Sequence, residues 1–243
     1  MIETLDKEER AGEVRKMFGD IAPSYDKANS ILSGGMHHLW RRKAVRTLAP
    51  VQGARVLDVC CGTGDLSFAL SDSVGDEGVV VGADFTPEMV ALANEKKNRL
   101  RPDADLAFQV GDATNLAFET DSFDGATVAF GIRNVVDPVA GIREMARVVR
   151  PGGRVLVLEF GQPEGLIFGP LFRWYSRIVM PRIGGLLTGS REAYEYLPRT
   201  SANFPAGGDF VSEIFEPAGL RLVKARPLTF GIAWLYLGEV PQG

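Results

Sequence analysis

The stretch that most constrains the fold runs from Arg55 to Asp65 and reads Arg-Val-Leu-Asp-Val-Cys-Cys-Gly-Thr-Gly-Asp. Val56, Leu57 and Val59 form a short apolar run, as in a central parallel strand covered on both faces. Gly62 and Gly64 then permit a tight turn and let a ligand approach backbone that carries no Cβ. Leu66, Phe68, Ala69 and Leu70 open a helix. A strand, a glycine turn and a helix suggest a nucleotide, and the commonest version sets a pyrophosphate on the helix N-terminus.

Two residues argue against a pyrophosphate. The third glycine of a G-x-G-x-x-G pattern begun at Gly62 is Ser67, and Asp65 puts a carboxylate in the first helical turn, where it repels phosphate. A ligand with a cationic group and no phosphate would be welcomed by Asp58 and Asp65. S-adenosylmethionine, with a nucleoside, a sulfonium and an amino-acid end, meets that description. The motif alone leaves a nicotinamide dinucleotide open, and it leaves Asp58 open as a residue that only bonds the amides of the turn.

Strand and helix then alternate. Val79 to Asp84 reads as a second buried strand ending in an acid, about 20 residues past the glycine turn, where a carboxylate can accept from both ribose hydroxyls. Thr86-Pro87-Glu88 starts a helix whose inner face is Met89, Val90, Leu92 and Ala93. Leu106 to Val110 is a third strand, followed by the turn Gly111 to Thr114; Phe123 to Phe130 is a fourth, running into Gly131-Ile132-Arg133-Asn134. A helix over 138–149 is ended by Arg150-Pro151-Gly152-Gly153, and a fifth strand runs from Arg154 to Phe160. The order predicts an α/β, doubly wound sheet with ligands at its C-terminal strand ends, where Gly62, Asp84, Asp112, Arg133 and Glu159 fall.

The flanks follow other rules. Residues 7–18 read as a polar helix broken by Gly19 and Pro23, with Ser24 capping the next one. Tyr25 to Trp40 mixes aromatic, imidazole and carboxylate groups around a Gly34-Gly35 hinge, which suits a helical arm covering a site better than a core. Residues 166–187 are strongly apolar and carry only arginines as charges, Arg173, Arg177 and Arg182. They line an apolar substrate site, touch a membrane surface, or pack on the domain edge. A last helix over 210–216 and strands over 220–225 and 229–237 close the chain. The layout predicted is one domain, 1–243: an N-terminal arm (1–50), a cofactor-binding core (51–160), an apolar lid insertion (161–207) and a C-terminal helix with a strand hairpin (208–243).

Composition removes other classes. A net charge of -4 disfavours a nucleic-acid surface. Cys60 and Cys61 are adjacent, which suits neither an ordinary disulfide nor, with only two histidines, a metal cluster, so no metal is expected. The charged first ten residues show no signal-peptide core, and a reduced cytoplasmic setting is expected, with peripheral attachment to the inner face of the plasma membrane as the open variant.

With these residues in hand, the chain resembles the quinone-biosynthesis C-methyltransferases, the family of demethylmenaquinone methyltransferase and the ubiquinone-pathway methoxy-benzoquinol methylase. One family signature appears as Tyr25-Asp26, Asn29, Leu32-Ser33, His37 and Trp40, and a second as the run from Arg147 to Phe160. The stretches 57–65 and 130–135 are similarly close. The chain departs from the pattern at Cys60 and Cys61, at Ala129 and at Gly161. The resemblance implies a class I methyltransferase (Rossmann-like) sheet of seven strands, the last inserted antiparallel. It also implies S-adenosylmethionine as cofactor, with Thr63 in the glycine turn, Asp84 at the ribose, and Asp112 with Ala113 at the adenine. The implied reaction is methyl transfer to a ring carbon of a prenylated quinol: demethylmenaquinol to menaquinol, with the methoxy-benzoquinol precursor of ubiquinone as alternative or second substrate. The Cys60-Cys61 turn leans toward the menaquinone branch.

A quinol carbon is a weak nucleophile until a neighbouring hydroxyl loses its proton. Arg133, with Asn134 orienting it or the ring, is the candidate to hold the phenolate. His37, whose ordinary pKa lies near neutrality, is the candidate base, and Tyr25 or Asp26 is placed to hold a water. Each has a plainer reading: a salt bridge for Arg133, helix packing for His37, packing under Trp40 for Tyr25. Two other function classes stay open, a nicotinamide oxidoreductase and a lipid carrier that keeps the fold without the chemistry. Oligomeric state is open, a homodimer included.

Overall fold

The computed structural model describes residues 6–163 and 165–242. The chain begins with α1 (Lys7–Ile21), α2 (Tyr25–Leu32) and α3 (Met36–Leu48), and then enters the alternating region. That region comprises β1 (Arg55–Val59), α4 (Asp65–Val74), β2 (Val79–Asp84), α5 (Pro87–Leu100), β3 (Leu106–Val110), β4 (Phe123–Ala129), α6 (Pro138–Val148) and β5 (Val149–Phe160). Next come α7 (Phe168–Trp174), a π-helical turn (Tyr175–Val179), α8 (Met180–Thr188) and α9 (Arg191–Asn203). A short α10 (Gly208–Phe210) continues as a π-helical turn (Val211–Phe215), and β6 (Arg221–Leu228) and β7 (Ala233–Glu239) finish the chain.

The seven strands form one sheet in the order β3-β2-β1-β4-β5-β7-β6. The first five are parallel, with Leu57 opposite Val81 on one side and Ala126 on the other. β7 lies antiparallel between β5 and β6. The doubly wound α/β sheet and its inserted antiparallel strand are therefore as expected. Strands β2 and β3 lie on one side of β1 and β4 onward on the other, so the chain reverses its direction across the sheet between β1 and β4, the switch point at which ligands bind in such sheets.

Side-chain alternation along β1 buries both faces. Leu57 and Val59 join α6 and the helical turn at 210–215 in one apolar cluster, while Val56 joins α3, α4 and α5 in another. A third cluster stands off the sheet: Val14, Met17, Ile21, Ala28 and Leu32 of the N-terminal arm pack with Met180, Ala193, Tyr194 and Tyr196 of the insertion. Arm and insertion thus cap the C-terminal edge of the sheet together. Among the described residues no helix is long and apolar enough to cross a membrane.

Several boundaries differ from expectation. α1 runs through Gly19 to Ile21 without breaking, and a Cβ at Gly19 would stand 3.2 Å from the Glu88 carboxylate, so the glycine serves close packing and not helix termination. Ser24 precedes α2 without a capping bond from its side chain. α6 ends at Val148, and 150–153 belongs to β5 instead of closing a helix. The final strand starts at Ala233, not Thr229, because Thr229 and Phe230 have φ of 46° and 56° and make a turn. Leu92 is only half-buried.

One glycine is dictated by packing beneath the crevice. A Cβ on Gly82 of β2 would sit 2.5 Å from the Phe108 ring and 2.9 Å from Cys61 Sγ. Gly82→Ala is expected to cost about 1–3 kcal/mol of stability, read as a lower urea midpoint; an unchanged midpoint would show that the ring yields freely.

Candidate active site

Two cavities open at the C-terminal edge of the sheet. The first, of about 150 Å³, lies in the crevice against Gly62, Asp84, Asp112, Ala113, Ala129 and Gly131, with Phe18 and Tyr25 of the arm across it. Gly62 has φ +56°, and no atom lies within 4 Å of where its Cβ would be, so bare backbone faces the cavity. Asp84 ends β2 and is clamped: Oδ2 accepts from Gly62 N–H and Oδ1 from Thr86 N–H, both at 2.8 Å. Burial lifts its carboxyl above the usual range, and the two amides pull it back. Asp112 Oδ1 accepts from the Thr114 amide and hydroxyl, each at 2.8 Å.

The remaining residues of the turn stand elsewhere. Gly64, with φ +88°, is required by Phe108, whose ring a Cβ would meet at 2.7 Å, and not by ligand approach. Asp58 is buried behind the turn, where Oδ2 accepts from Ser67 Oγ at 2.6 Å and Oδ1 from Thr127 Oγ1 at 2.9 Å. Burial raises its pKa to about 6. Its hydrogen bonds run to hydroxyls beneath the turn, and it is not part of the first cavity's wall. Thr63 Oγ1 donates to Asp26 Oδ1 at 2.5 Å, tying the turn to the arm. Asp65 corrects the reasoning that chose the ligand: it pairs with Lys96 Nζ at 3.0 Å and Arg41 at 3.5 Å, so its charge is neutralised before any ligand arrives.

The second cavity, of about 260 Å³, lies between the sheet edge and the cap. Its wall is mostly apolar: Ile21, Leu32, Met36, Trp40 and Phe160 on one side, Phe172, Tyr175, Met180 and Tyr194 on the other. Phe18, Tyr25 and Phe130 line both cavities and form the partition between them. The charged side chains in the second wall are the guanidiniums of Arg41 and Arg133; none of its described residues is a carboxylate.

Arg133 is held firmly. Its Nη1 donates to Glu159 Oε1 at 2.8 Å and to the Phe130 carbonyl, the guanidinium lies over the Phe160 ring at 5.1 Å, and Nε has no protein partner. Both sides of the ion pair are almost fully buried. Asn134 faces the first cavity, and its Oδ1 accepts from Tyr196 Oη at 3.2 Å. Tyr25 is buried, which raises its pKa.

His37 lines the second cavity but is not poised near neutrality. Burial, with the neighbouring charges of Arg41 and His38, lowers its pKa to about 4. Arg41 can only donate, so its bond to Nδ1 makes that nitrogen the acceptor and leaves Nε2–H to donate to Ser30 Oγ at 3.2 Å. Both ring nitrogens are thus engaged by protein groups. His37, His38 and Asp65 stand within 4.8 Å of one another, but Arg41 bonds both His37 and Asp65 and puts a positive charge among them.

Sequence reasoning left out Lys96 and Arg41, which meet the turn only through tertiary contact. Glu159 had a visible signal, an acid at the end of a strand, yet its partner Arg133 is 26 residues away.

Residues 3–239 match the model of the ubiE/COQ5 methyltransferase family. The chain belongs to that family. Family relatives include the ubiquinone/menaquinone biosynthesis C-methyltransferase UbiE of Bdellovibrio bacteriovorus, 45% identical over 93% of this chain and 95% of the relative. They also include the demethylmenaquinone methyltransferase of Staphylococcus aureus, 39% identical over 93% and 92%. Solved structures share the fold: a SAM-dependent methyltransferase from Aquifex aeolicus (TM-score 0.62, 20% identity, 82% of this chain and 89% of that one). Another is phosphoethanolamine N-methyltransferase 2 of Haemonchus contortus in complex with S-adenosyl-L-methionine (TM-score 0.62, 17% identity, 83% and 52%).

The first cavity of this ubiE/COQ5 member fits S-adenosylmethionine. The uncovered backbone of Gly62, the clamped Asp84 at a strand end and the apolar flank of Ala113 and Ala129 suit a nucleoside. Asp84→Ala is expected to weaken cofactor binding by roughly 1.5–3 kcal/mol, the scale of hydrogen bonds to a charged group; equal affinities by calorimetry would remove Asp84 from the site.

Proposed function

We propose that this S-adenosylmethionine-dependent C-methyltransferase converts demethylmenaquinol to menaquinol. The observation that carries the reading is the shared partition at Phe18, Tyr25 and Phe130, which sets a crevice of about 150 Å³ directly beside an oily chamber of about 260 Å³. S-adenosylmethionine, bound against Gly62, Asp84 and Asp112, supplies a methyl group on a positively charged sulfur. The protein's part is to seat the ring in the second cavity with one carbon at the partition, since positioning supplies much of the rate.

The wall chemistry supports activation without a protein base. Burial alone disfavours an anion here, as it does at Tyr25, and the guanidiniums of Arg41 and Arg133 oppose that cost, so a ring hydroxyl beside them loses its proton to solvent more readily than it would without them. Electron density then moves to the neighbouring carbon, which sheds its own hydrogen as a proton once the methyl has arrived. Arg133, braced by Glu159 with Nε uncommitted, is the residue to hold that oxygen. Arg41 contributes charge from the far side, fixed by Asp65 and His37. His37 serves as a positioning residue for Arg41. Tyr25 and Asn134 border the crevice, where the ring and the methyl donor meet. The joint naming of the Bdellovibrio relative supports a second activity on the methoxy-benzoquinol ring.

The test is an assay with labelled methyl donor and both reduced quinols, with the product identified by mass spectrometry. A labelled methyl group on the naphthoquinol ring is the expected result, and no labelled methyl on either ring would end the reading. Removing Arg133 alone would strand a buried Glu159, so the informative variant is Arg133→Gln with Glu159→Gln. It is expected to lose about 10²–10³ in kcat with cofactor affinity little changed; retained turnover would remove Arg133 from the chemistry.

A further inference from the structure

The cap has two apolar faces. Phe172, Tyr175 and Met180 turn inward to line the second cavity. From the same continuous helical segment, Ile167, Leu171, Trp174 and Ile178 point outward at helical spacing and are all exposed, Ile167 at 84% and Trp174 at 57%. The preceding Leu166 is 98% exposed.

A second segment repeats the arrangement. In the β6–β7 turn, Thr229 and Ile232 line the cavity, while Phe230, held at φ +56°, is 76% exposed. Trp40 Nε1–H donates to Thr229 Oγ1 at 2.9 Å and pins this turn to α3. Phe230 and Phe168 are in ring contact, with centroids 5.0 Å apart, so the two segments form one patch beside the chamber. The left-handed backbone is unfavourable for a non-glycine residue, yet here it holds an aromatic ring that stays largely in solvent apart from its contact with Phe168.

Charge identifies what covers the patch. The protein as a whole is acidic, at -4, yet the described residues 165–188 contain Arg173, Arg177 and Arg182, all exposed, and no lysine or acid. Apolar side chains with arginines beside them match the boundary of an anionic bilayer, where rings and alkyl chains enter and guanidiniums meet phosphates. The π-helical turn at Tyr175–Val179 and Pro181 interrupt the segment, and no described helix is able to span, so it lies along the surface.

We propose that the outer face of 166–178, with Phe230, docks on an anionic bilayer and that the prenylated quinol enters the second cavity from the lipid between these two segments. The proposal rests on the reaction assigned above. That reaction supplies its reason: the chamber takes a ring head, while a long prenyl tail needs an apolar phase at the cavity mouth.

The experiment uses the full chain, vesicles of phosphatidylcholine with and without phosphatidylglycerol, and two quinols, one short-tailed and dissolved, one long-tailed and embedded. The variant is Leu171→Glu with Trp174→Glu, at exposed positions outside both cavity walls. The wild type is expected to float with phosphatidylglycerol vesicles and not with phosphatidylcholine alone. The variant is expected to bind at least tenfold more weakly and to methylate the embedded quinol at least tenfold more slowly, while its rate on the dissolved quinol stays within twofold. Equal vesicle binding by variant and wild type would overturn the proposal, as would a wild-type dimer in sedimentation that the variant dissociates, since the face would then join two copies. If the wild type methylates neither quinol, the reaction assignment falls, and flotation alone decides the docking.

Discussion

The site depends on one ammonium group. Lys96 Nζ reaches Asp26 Oδ2 of the arm at 2.7 Å, Asp65 Oδ1 of α4 at 3.0 Å and the Thr63 carbonyl of the glycine turn at 3.0 Å. Two segments far apart in the chain, the arm at Asp26 and the turn at 63–65, converge on that charge of α5, in a partly buried setting where ion pairs are screened less than at the surface. The consequence is geometric. With Asp26 fastened to the turn, Tyr25 is held beside Phe130, and the arm becomes a wall of both cavities. Without that fastening the crevice at the sheet edge would lie open, as in any doubly wound sheet.

The two chambers divide the electrostatic work. On the crevice side lie Asp84 and Asp112, whose oxygens are already oriented by backbone amides and the Thr114 hydroxyl. On the other side lie two guanidiniums in an otherwise oily wall. Arg15 also lines the crevice, so the contrast lies in the acids, which the second wall lacks; on the proposed reading those acids serve the methyl donor and the guanidiniums the ring oxygen. Preorganised groups of this kind stabilise developing charge without having to reorganise when the reaction occurs. The Arg133–Glu159 pair illustrates the cost: two buried ions held in one arrangement, with Nε of Arg133 left without a protein partner.

What could be read from the chain followed from local chemistry. Val79 to Asp84 carries its own evidence as a buried strand that ends in an acid, and Gly62 announces the turn; both stand where they were expected. Asp58 and Asp65 were legible as acids near that turn, but not their partners. Ser67 and Thr127 bury one, Lys96 and Arg41 neutralise the other, and neither partnership leaves a mark in a single sequence. His37 misled for the same reason, because an imidazole's ordinary pKa says nothing about an arginine one helical turn away. The apolar insertion was ambiguous between lining a substrate site, touching a membrane and packing on the edge. Its inner residues line the cavity, and its outer residues stay exposed on the opposite side of the same helical segment.

On the proposed reaction, the methyl donor and the ring meet across Tyr25 and Phe130. A crystal structure with S-adenosylhomocysteine and a short-tailed quinol bound together tests it most directly. The account expects the adenosine between Gly62, Asp84 and Asp112, the sulfur facing the partition, and a ring carbon in line with it from the Arg133 side. A ring bound outside the second cavity, or a sulfur turned away from Tyr25, would contradict it.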